Sequence, residues 1–374
     1  MNKLQYYIEH LKAEVLYFPK NVCYFFSKKK RAIYLGCTGQ GNLGDEGVYL
    51  AIQKLLKEKI FLYPISYAKP NSGKYLRRWL FKAPDLIILG GGTIIKKKKT
   101  ESYLKLFSEY HNMYPSAGLV VYGSGVGDTR LAAQIGFPTD VQNWKFILNK
   151  CWFIGVRGKL SKKVLEKDWE VSPEINILHD PAIYFKRDIL KGKKKQKRIG
   201  INFCNIIGRI YGLDQSTLEL FAQKLVKELI DEEWNIFLYP TVNSDMPYMQ
   251  KILGSKLMAK VEVYNDFGNI DKSLSFLESM DVFIGQRLHS IIFAAIAYTP
   301  FHAIEYESKT SDFLNSLGLD NVSTRTDELD VNRVINKVNM LYDNLENKQK
   351  ELYDLVQIAC TQQNSITKKL LNQL

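Results

Sequence analysis

The feature that most constrains this chain is an alternation that runs twice. Short apolar runs rich in Ile, Val, Leu and aromatics are each closed by glycine or a polar turn, and segments of helical period separate them. That is the pattern of a parallel sheet covered by helices. In the first series "RAIYLGC" (31–37), "IFLYPIS" (60–66), "DLIILGGG" (85–92), "GLVVYGSG" (118–125) and "WFIGVR" (152–157) read as strands, and "NILHDPAIYF" (176–185) closes the set. A basic, glycine-containing stretch at 186–198 interrupts the pattern. It restarts with "RIGINFC" (198–204), "NIFLYPT" (235–241), "VEVYND" (261–266), "DVFIGQ" (281–286) and "FHAIEY" (301–306).

A length of 374 residues suits two such units rather than one core. The expected organisation is a basic amphipathic segment at 1–30, a Rossmann-like domain at 31–187, a linker at 188–197, a second Rossmann-like domain at 198–330, and a helical segment at 331–374. In doubly wound sheets ligands sit at the carboxyl ends of the strands. With two domains, the default site is the cleft between them.

Unusual residues stand at those strand ends. The loop "GCTGQGNLGDEGVYLAI" places Gly39, Gly41 and Gly44 in a GxGxxG spacing between a strand and a helix, the dinucleotide fingerprint. Asp45 and Glu46 argue against it, because they put negative charge where a pyrophosphate would bind. The end of the second strand also offers no acid for a ribose. Asn42, Asp45 and Glu46 suit sugar hydroxyls better, as do Gly91 and Gly92 of "GGGT". Asp45 as a simple helix cap is the structural alternative.

The segment "GQRLHSIIFAAIA" (285–297) poses the sharpest question: an otherwise apolar helix carries Arg287 and His289 at its entrance. Buried cations are rare unless something anionic meets them. Arg157 ends "WFIGVR", and Lys309 follows "EYES" after another strand. Converging from two domains, these side chains make an anion site, and His289 adds a group able to carry a proton near neutral pH.

Composition narrows the partners. Five cysteines without a CxxC pair and five unpaired histidines give neither a disulfide framework nor a metal cage, so no metal is expected. The formal charge is +13, with basic runs at 28–31, 96–99 and 191–198. No nucleic-acid-binding motif accompanies them, which leaves an anionic membrane surface as the better functional partner. The aromatic, lysine-bearing first 31 residues suit a membrane interface or a helix packed on its own domain. Without a signal-peptide pattern or an apolar run of 18 residues, the expected location is cytoplasmic, peripheral on the inner face of the plasma membrane.

The segments "GNLGDEGVYLAI", "LGGGTII", "VRGKLS", "HDPAIYF" and "FIGQRLHSIIFAAIAYTPFHAIEYESKTSDFLNSLGL", in this order, resemble the polysaccharide pyruvyl transferase family over about 31–320. "RLH" in its apolar helix is the most specific part, and "GNLGDE" is second. The resemblance implies a GT-B-like fold, two Rossmann-like domains facing across a cleft, with phosphoenolpyruvate as substrate and no cofactor. Family members transfer a pyruvyl group to two hydroxyls of one sugar as a ketal. By motif position it implies that Arg287 and His289 hold the donor with the Leu288 backbone nearby, and the matching "VR" and "K" positions add Arg157 and Lys309. His289 is then the expected acid/base, Arg287 with Arg157 or Lys309 the phosphate stabiliser, and Asp45 or Glu46 the group that positions a hydroxyl. The implied acceptor is a lipid-linked saccharide of a cell-surface polysaccharide. Two alternatives remain at this point: a GT-B glycosyltransferase using a nucleotide sugar, and a non-catalytic membrane scaffold.

Overall fold

The computed structural model describes residues 3–39, 41–65, 82–96, 103–190, 192, 194–206, 211, 214–266 and 268–374. The chain beyond Ile65 in the second apolar run, most of the basic run at 96–99, and positions 191 and 193 of the basic break lie outside these residues.

The first domain holds strands β1 (Lys30–Leu35), β2 (Ile60–Ile65), β3 (Leu86–Gly90), β4 (Gly118–Ser124), β5 (Cys151–Val156) and β6 (Ile175–Ile177). Its described helices are α1 (Lys3–Phe26), α2 (Leu43–Leu56), α3 (Tyr103–Met113), α4 (Thr129–Gln134), α5 (Val141–Leu148) and α6 (Lys159–Lys163). The second holds β7 (Arg198–Asn202), β8 (Asn235–Leu238), β9 (Glu262–Val263), β10 (Val282–Gly285), β11 (Phe301–Glu305) and β12 (Ser323–Arg325). Helices α7 (Gln215–Asp231), α8 (Asp245–Met258), α9 (Ile270–Glu278), α10 (Leu288–Ile296), α11 (Lys309–Leu317), α12 (Val331–Asp343) and α13 (Leu345–Asn372) complete it.

Each sheet has six strands, ordered β2-β1-β3-β4-β5-β6 and β12-β11-β10-β7-β8-β9. Every ladder is parallel. Central strands such as β3 and β10 are buried along their whole length, as a sheet covered on both faces requires. The strand order reverses between β1 and β3 and between β7 and β10. These two switch points open crevices at the strand ends.

The architecture is the expected α/β pair of doubly wound domains, and the structure corrects two local readings and adds two features. The run at 176–185 is a strand only over Ile175–Ile177, and Pro181–Phe185 forms a 3-10 turn capped by the Asp180 side chain. Pro181 has no N–H for a ladder and a fixed φ, so the strand stops short of it. The run at 261–266 pairs over only Glu262–Val263. β12 has no apolar run to announce it. Finally, α10 packs against both domains. Ile291, Ile292 and Phe293 share one continuous apolar cluster with Val48 and Ile52 of α2 and Leu352 and Val356 of α13. That helix is apolar on every side because both domains and the C-terminal helix surround it.

Helix α13 returns from the second domain to the first. Thr367 Oγ1 lies 2.6 Å from Tyr122 Oη, and Lys59 Nζ donates to the Leu371 carbonyl at 2.7 Å. Gln363, fully buried, donates to the carbonyls of Leu178 and Asp180 at 3.4 and 3.0 Å. At the other end of the chain, Tyr24 of α1 is buried with its ring edge-on to Phe61 and Tyr63. Ile8, Leu11, Val15, Phe18 and Phe26 of the same helix are exposed.

Candidate active site

The crevices of the two sheets face each other, and the entrance of α10 lies between them. Asn202 at the end of β7 accepts a hydrogen bond from the Arg287 amide at 2.9 Å, which sets the start of α10 directly on the switch point. Opposite, Asn42 caps α2 by accepting from the Gly44 amide at 3.0 Å, and the Leu43 amide crosses to the Thr241 carbonyl at 3.1 Å. The first turns of α2 and α10 therefore meet. A Cβ built on Gly44 would stand 2.1 Å from His289 Nδ1, so only glycine admits the imidazole there.

Arg157, Arg287, His289 and Lys309 come together at this meeting point. Burial and the charges of Arg157, Lys309 and Arg287 push the His289 imidazole down to about 3. This corrects the sequence expectation: among three cations a desolvated ring disfavours a fourth positive charge, which leaves His289 neutral at physiological pH. Asp45 behaves oppositely. Burial pushes its carboxyl up to about 6, with Glu46 and Asp180 adding to the rise and Lys309 and Arg287 opposing it. A group that titrates near neutrality thus stands on α2.

Each cation also has a carboxylate behind it, as a buried cation requires, though the sequence does not say which. Arg287 Nε reaches both oxygens of Asp245, at 2.8 and 3.0 Å, and Nη2 lies 2.6 Å from Oδ1. Asp245 is fully buried and also accepts from the Thr241 and Val242 amides. Lys309 pairs with Glu307 at 2.9 Å and donates to the Tyr306 hydroxyl. Arg157 has no solvent exposure, donates Nη2 to Thr93 Oγ1 at 3.0 Å, and sits 3.9 Å from Asp312. Asp312 belongs to the second domain yet caps α6 of the first, accepting from the Leu160 and Ser161 amides at 2.9 and 3.1 Å. The cations are held in place by fixed carboxylates rather than left as loose surface charge.

The remaining candidates divide. Leu288 is buried at the first helical position of α10, where an amide has no intrahelical acceptor. Glu46 turns back to bond the Gly39 amide, so it closes the loop of α2. The Gly91 amide is taken by the Tyr122 carbonyl at 3.1 Å and its φ is +70°, which marks a turn glycine rather than a donor to a ligand. Gly92 likewise gives its carbonyl to the Gly125 amide at 2.8 Å. Asp180, Asp245, Asp312 and Thr93 are the residues sequence reasoning missed. Asp180 and Asp245 follow strands β6 and β8 within a few residues, so the strand-end rule applied to every strand would have found them.

A model of the family described as polysaccharide pyruvyl transferase matches residues 16–308, which span both switch points and include Asp45, Arg157, Asp180, Asp245, Arg287 and His289, and stop just short of Lys309. The chain belongs to the polysaccharide pyruvyl transferase family. Membership places it among transferases of polysaccharide biosynthesis. The amylovoran biosynthesis protein AmsJ of Erwinia amylovora is 25% identical over 172 residues, 44% of this chain and 41% of that protein. The alignment thus spans less than half the length of that curated relative. Among solved structures, the UDP-GlcNAc 2-epimerase from Neisseria meningitidis bound to UDP-GlcNAc has a TM-score of 0.54 at 12% identity, covering 92% of this chain and all of that one. The glycotransferase of kitacinnamycin has a TM-score of 0.53 at 11% identity over 93% and 100% of the two chains. At such identities the likeness is one of fold: two Rossmann-like domains across a cleft, as in GT-B enzymes.

Proposed function

We propose that this polysaccharide pyruvyl transferase moves the pyruvyl group of phosphoenolpyruvate onto two hydroxyls of one sugar, forming a ketal on a lipid-linked precursor of a cell-surface polysaccharide. The observation that carries this reading is the convergence of Arg157, Arg287, Lys309 and His289 on the first turn of α2. Phosphoenolpyruvate brings a carboxylate and a phosphate about one carbon apart, and guanidinium and ammonium groups match both.

The reaction places one proton on C3 of the donor, which makes C2 electrophilic. One hydroxyl adds at C2, phosphate leaves, and the second hydroxyl closes the ketal. Two hydroxyl protons are released: one balances the proton gained at C3, and the other leaves with phosphate. Arg287, with Arg157 or Lys309, stabilises the departing phosphate. An anion seated among the cations reverses their effect on His289 and raises its proton affinity, so the donor itself prepares the acid/base. Asp45, in the first turn of α2, positions the attacking hydroxyl and takes the proton of the second one. In this reading the first domain takes the acceptor, with Asn42 beside Asp45.

A lipid-linked acceptor asks for a membrane surface. No helix among the described residues is long and apolar enough to cross one. Ile8, Leu11, Val15, Phe18 and Phe26 fall on one stripe of α1 at helical spacing and are exposed. A groove of about 510 Å³ beside Phe26 is lined by Lys20, Lys29, Lys54 and Lys57. Such a stripe with flanking lysines suits an anionic bilayer interface. Cosedimentation with phosphatidylglycerol vesicles is expected for the wild type and lost in Leu11→Glu/Val15→Glu. Equal binding to neutral vesicles removes the electrostatic part of this reading.

The deciding experiment is thermal unfolding of wild type, Arg287→Ala and Lys309→Ala with phosphoenolpyruvate, phosphate, UDP and GDP. Stabilisation of the wild type by phosphoenolpyruvate, lost in both variants, is expected. A shift with UDP or GDP and none with phosphoenolpyruvate assigns the site to glycosyl transfer instead.

A further inference from the structure

We infer that Asp180 is the positioning residue of His289, a carboxylate supplied by the first domain that orients the second domain's imidazole and sustains its protonated form during transfer. The inference deepens the proposed function and rests on it for the identity of the donor.

Asp180 has no solvent exposure. Its Oδ1 accepts from the Ala182 amide at 3.0 Å and caps the 3-10 turn, which leaves Oδ2 free to face elsewhere. Oδ2 stands 3.9 Å from His289 Nε2. Neither atom has a hydrogen-bond partner, and among the described residues Asp180 Oδ2 is the only buried carboxylate oxygen in that condition. The other carboxylates at the site are committed: Asp245 to Arg287, Glu307 to Lys309, and Asp312 to the cap of α6 beside Arg157.

The groups that hold the pair come from separate elements. The Asp180 carbonyl is bonded by Gln363 of α13, and the ring of His289 rests on Gly44 of α2. The charges facing the imidazole are Arg157 at the end of β5, Lys309 at the start of α11 and Arg287 on its own helix, with Asp45 of α2 close to both Lys309 and Asp180. Against three cations, Asp180 is the carboxylate whose free oxygen lies nearest the ring; burial raises its carboxyl, and Arg157 and the Ala182 amide oppose that rise. A movement of about 1 Å brings Nε2 and Oδ2 to hydrogen-bond distance. With Nε2 on Asp180, Nδ1 is the nitrogen left on the side of α2 to exchange a proton. The Nδ1 proton passes to C3 of the donor as the C2–C3 π pair forms the new C–H bond. The attacking hydroxyl then bonds C2 and returns its proton to Nδ1.

Asp180→Asn tests this, because asparagine keeps the cap through Oδ1 and nearly the same volume. With five histidines in the chain, the His289 ring signals are assignable by NMR through their loss in His289→Gln. Both wild type and Asp180→Asn are expected to bind phosphoenolpyruvate within threefold of each other, and His289 in the donor-bound wild type is expected to titrate at least one pH unit higher than in the variant. Equal titration in two proteins that both bind the donor overturns the inference. No binding by wild type overturns the proposed function instead. Unfolding at pH 5 without ligand then still decides the pairing: Asp180→Asn and His289→Gln are expected to change the unfolding constant non-additively by threefold or more, and additive effects overturn it. Should the variant not fold, the wild-type Nε2 nitrogen shift with donor bound serves. A protonated, hydrogen-bonded Nε2 is expected, and a bare one overturns the assignment.

Discussion

Gly44 and His289 touch across the domain boundary, the glycine's missing Cβ leaving the space that Nδ1 of the imidazole fills. The contact joins the cap of α2 to the first turn of α10. It makes the position of the histidine a property of both domains at once. Gly44→Ala places a methyl against the base of the ring rather than its flexible end, so the ring or the domain must give way. We expect a stability loss of about 1–3 kcal/mol, typical of overpacking, and a fall in pyruvyl transfer of at least tenfold. Urea unfolding and initial rates check the two parts.

The Arg287–Asp245 pair leads to a second expectation. Asp245 is fully buried and binds both Nε and Nη2 of the guanidinium. Asp245→Asn removes the charge but keeps an acceptor for the Thr241 amide. Breaking one side of a buried ion pair costs on the order of 3 kcal/mol. Donor-induced thermal stabilisation is expected to fall with it, because Arg287 loses the group that fixes its fork. Retained stabilisation by phosphoenolpyruvate would show that Arg287 finds its place without Asp245.

The depressed proton affinity of His289 gives a pH signature. Its folded value, about 3, lies below the usual 6.5. The unfolded chain therefore binds more protons as pH falls. The stability tied to the neutral ring is complete above 6.5 and is lost progressively toward pH 3, by about 2 kcal/mol at pH 5. His289→Gln is expected to flatten the acid limb of a stability–pH curve measured by urea unfolding from pH 8 to pH 4.5. An unchanged limb would place the titrating group elsewhere.

Asp45 carries the opposite sign. Its folded value, about 6, lies above the usual 3.8. Its contribution is fully present below pH 3.8 and is lost as pH rises through 6. Asp45→Asn is expected to be more stable than wild type at pH 8, by up to about 3 kcal/mol, with the gap closing below pH 4. Activity is expected to fall in the same variant, which separates a catalytic burden from a structural role as a cap.

Gln363 ties the C-terminal helix to the loop that carries Asp180. It is fully buried and bonds two carbonyls of that loop. Gln363→Ala leaves both carbonyls without this donor, at about 1–3 kcal/mol. Because the Asp180 backbone is one of the two, kcat is expected to drop more than donor binding, a split that thermal shift and steady-state rates distinguish.

What could be read from the sequence follows a physical division. The strands were legible because a sheet buried on both faces demands unbroken aliphatic runs, as in Leu86–Gly90 and Val282–Gly285. The run at 176–185 misled because apolar residues there fill a 3-10 turn rather than a strand. Arg287 and His289 stood out against an apolar helix. Their carboxylate partners did not, since Asp245 lies 42 residues from Arg287 and Asp180 sits in the other domain. Nor does any local pattern encode the charge of His289, which depends on burial and on cations brought from β5, α10 and α11.

The return of α13 to the first domain has a mechanical meaning. The two halves are joined covalently near Lys195 and again where Asn344 turns into α13, whose far end is fastened at Tyr122 and Lys59. A second crossing of the chain, bonded down at its far end, restrains the halves more than a single linker would. Gly44, His289 and Asp180 lie on the seam between the two halves, so the distance from imidazole to carboxylate is set by how the halves are fastened together rather than by either half alone.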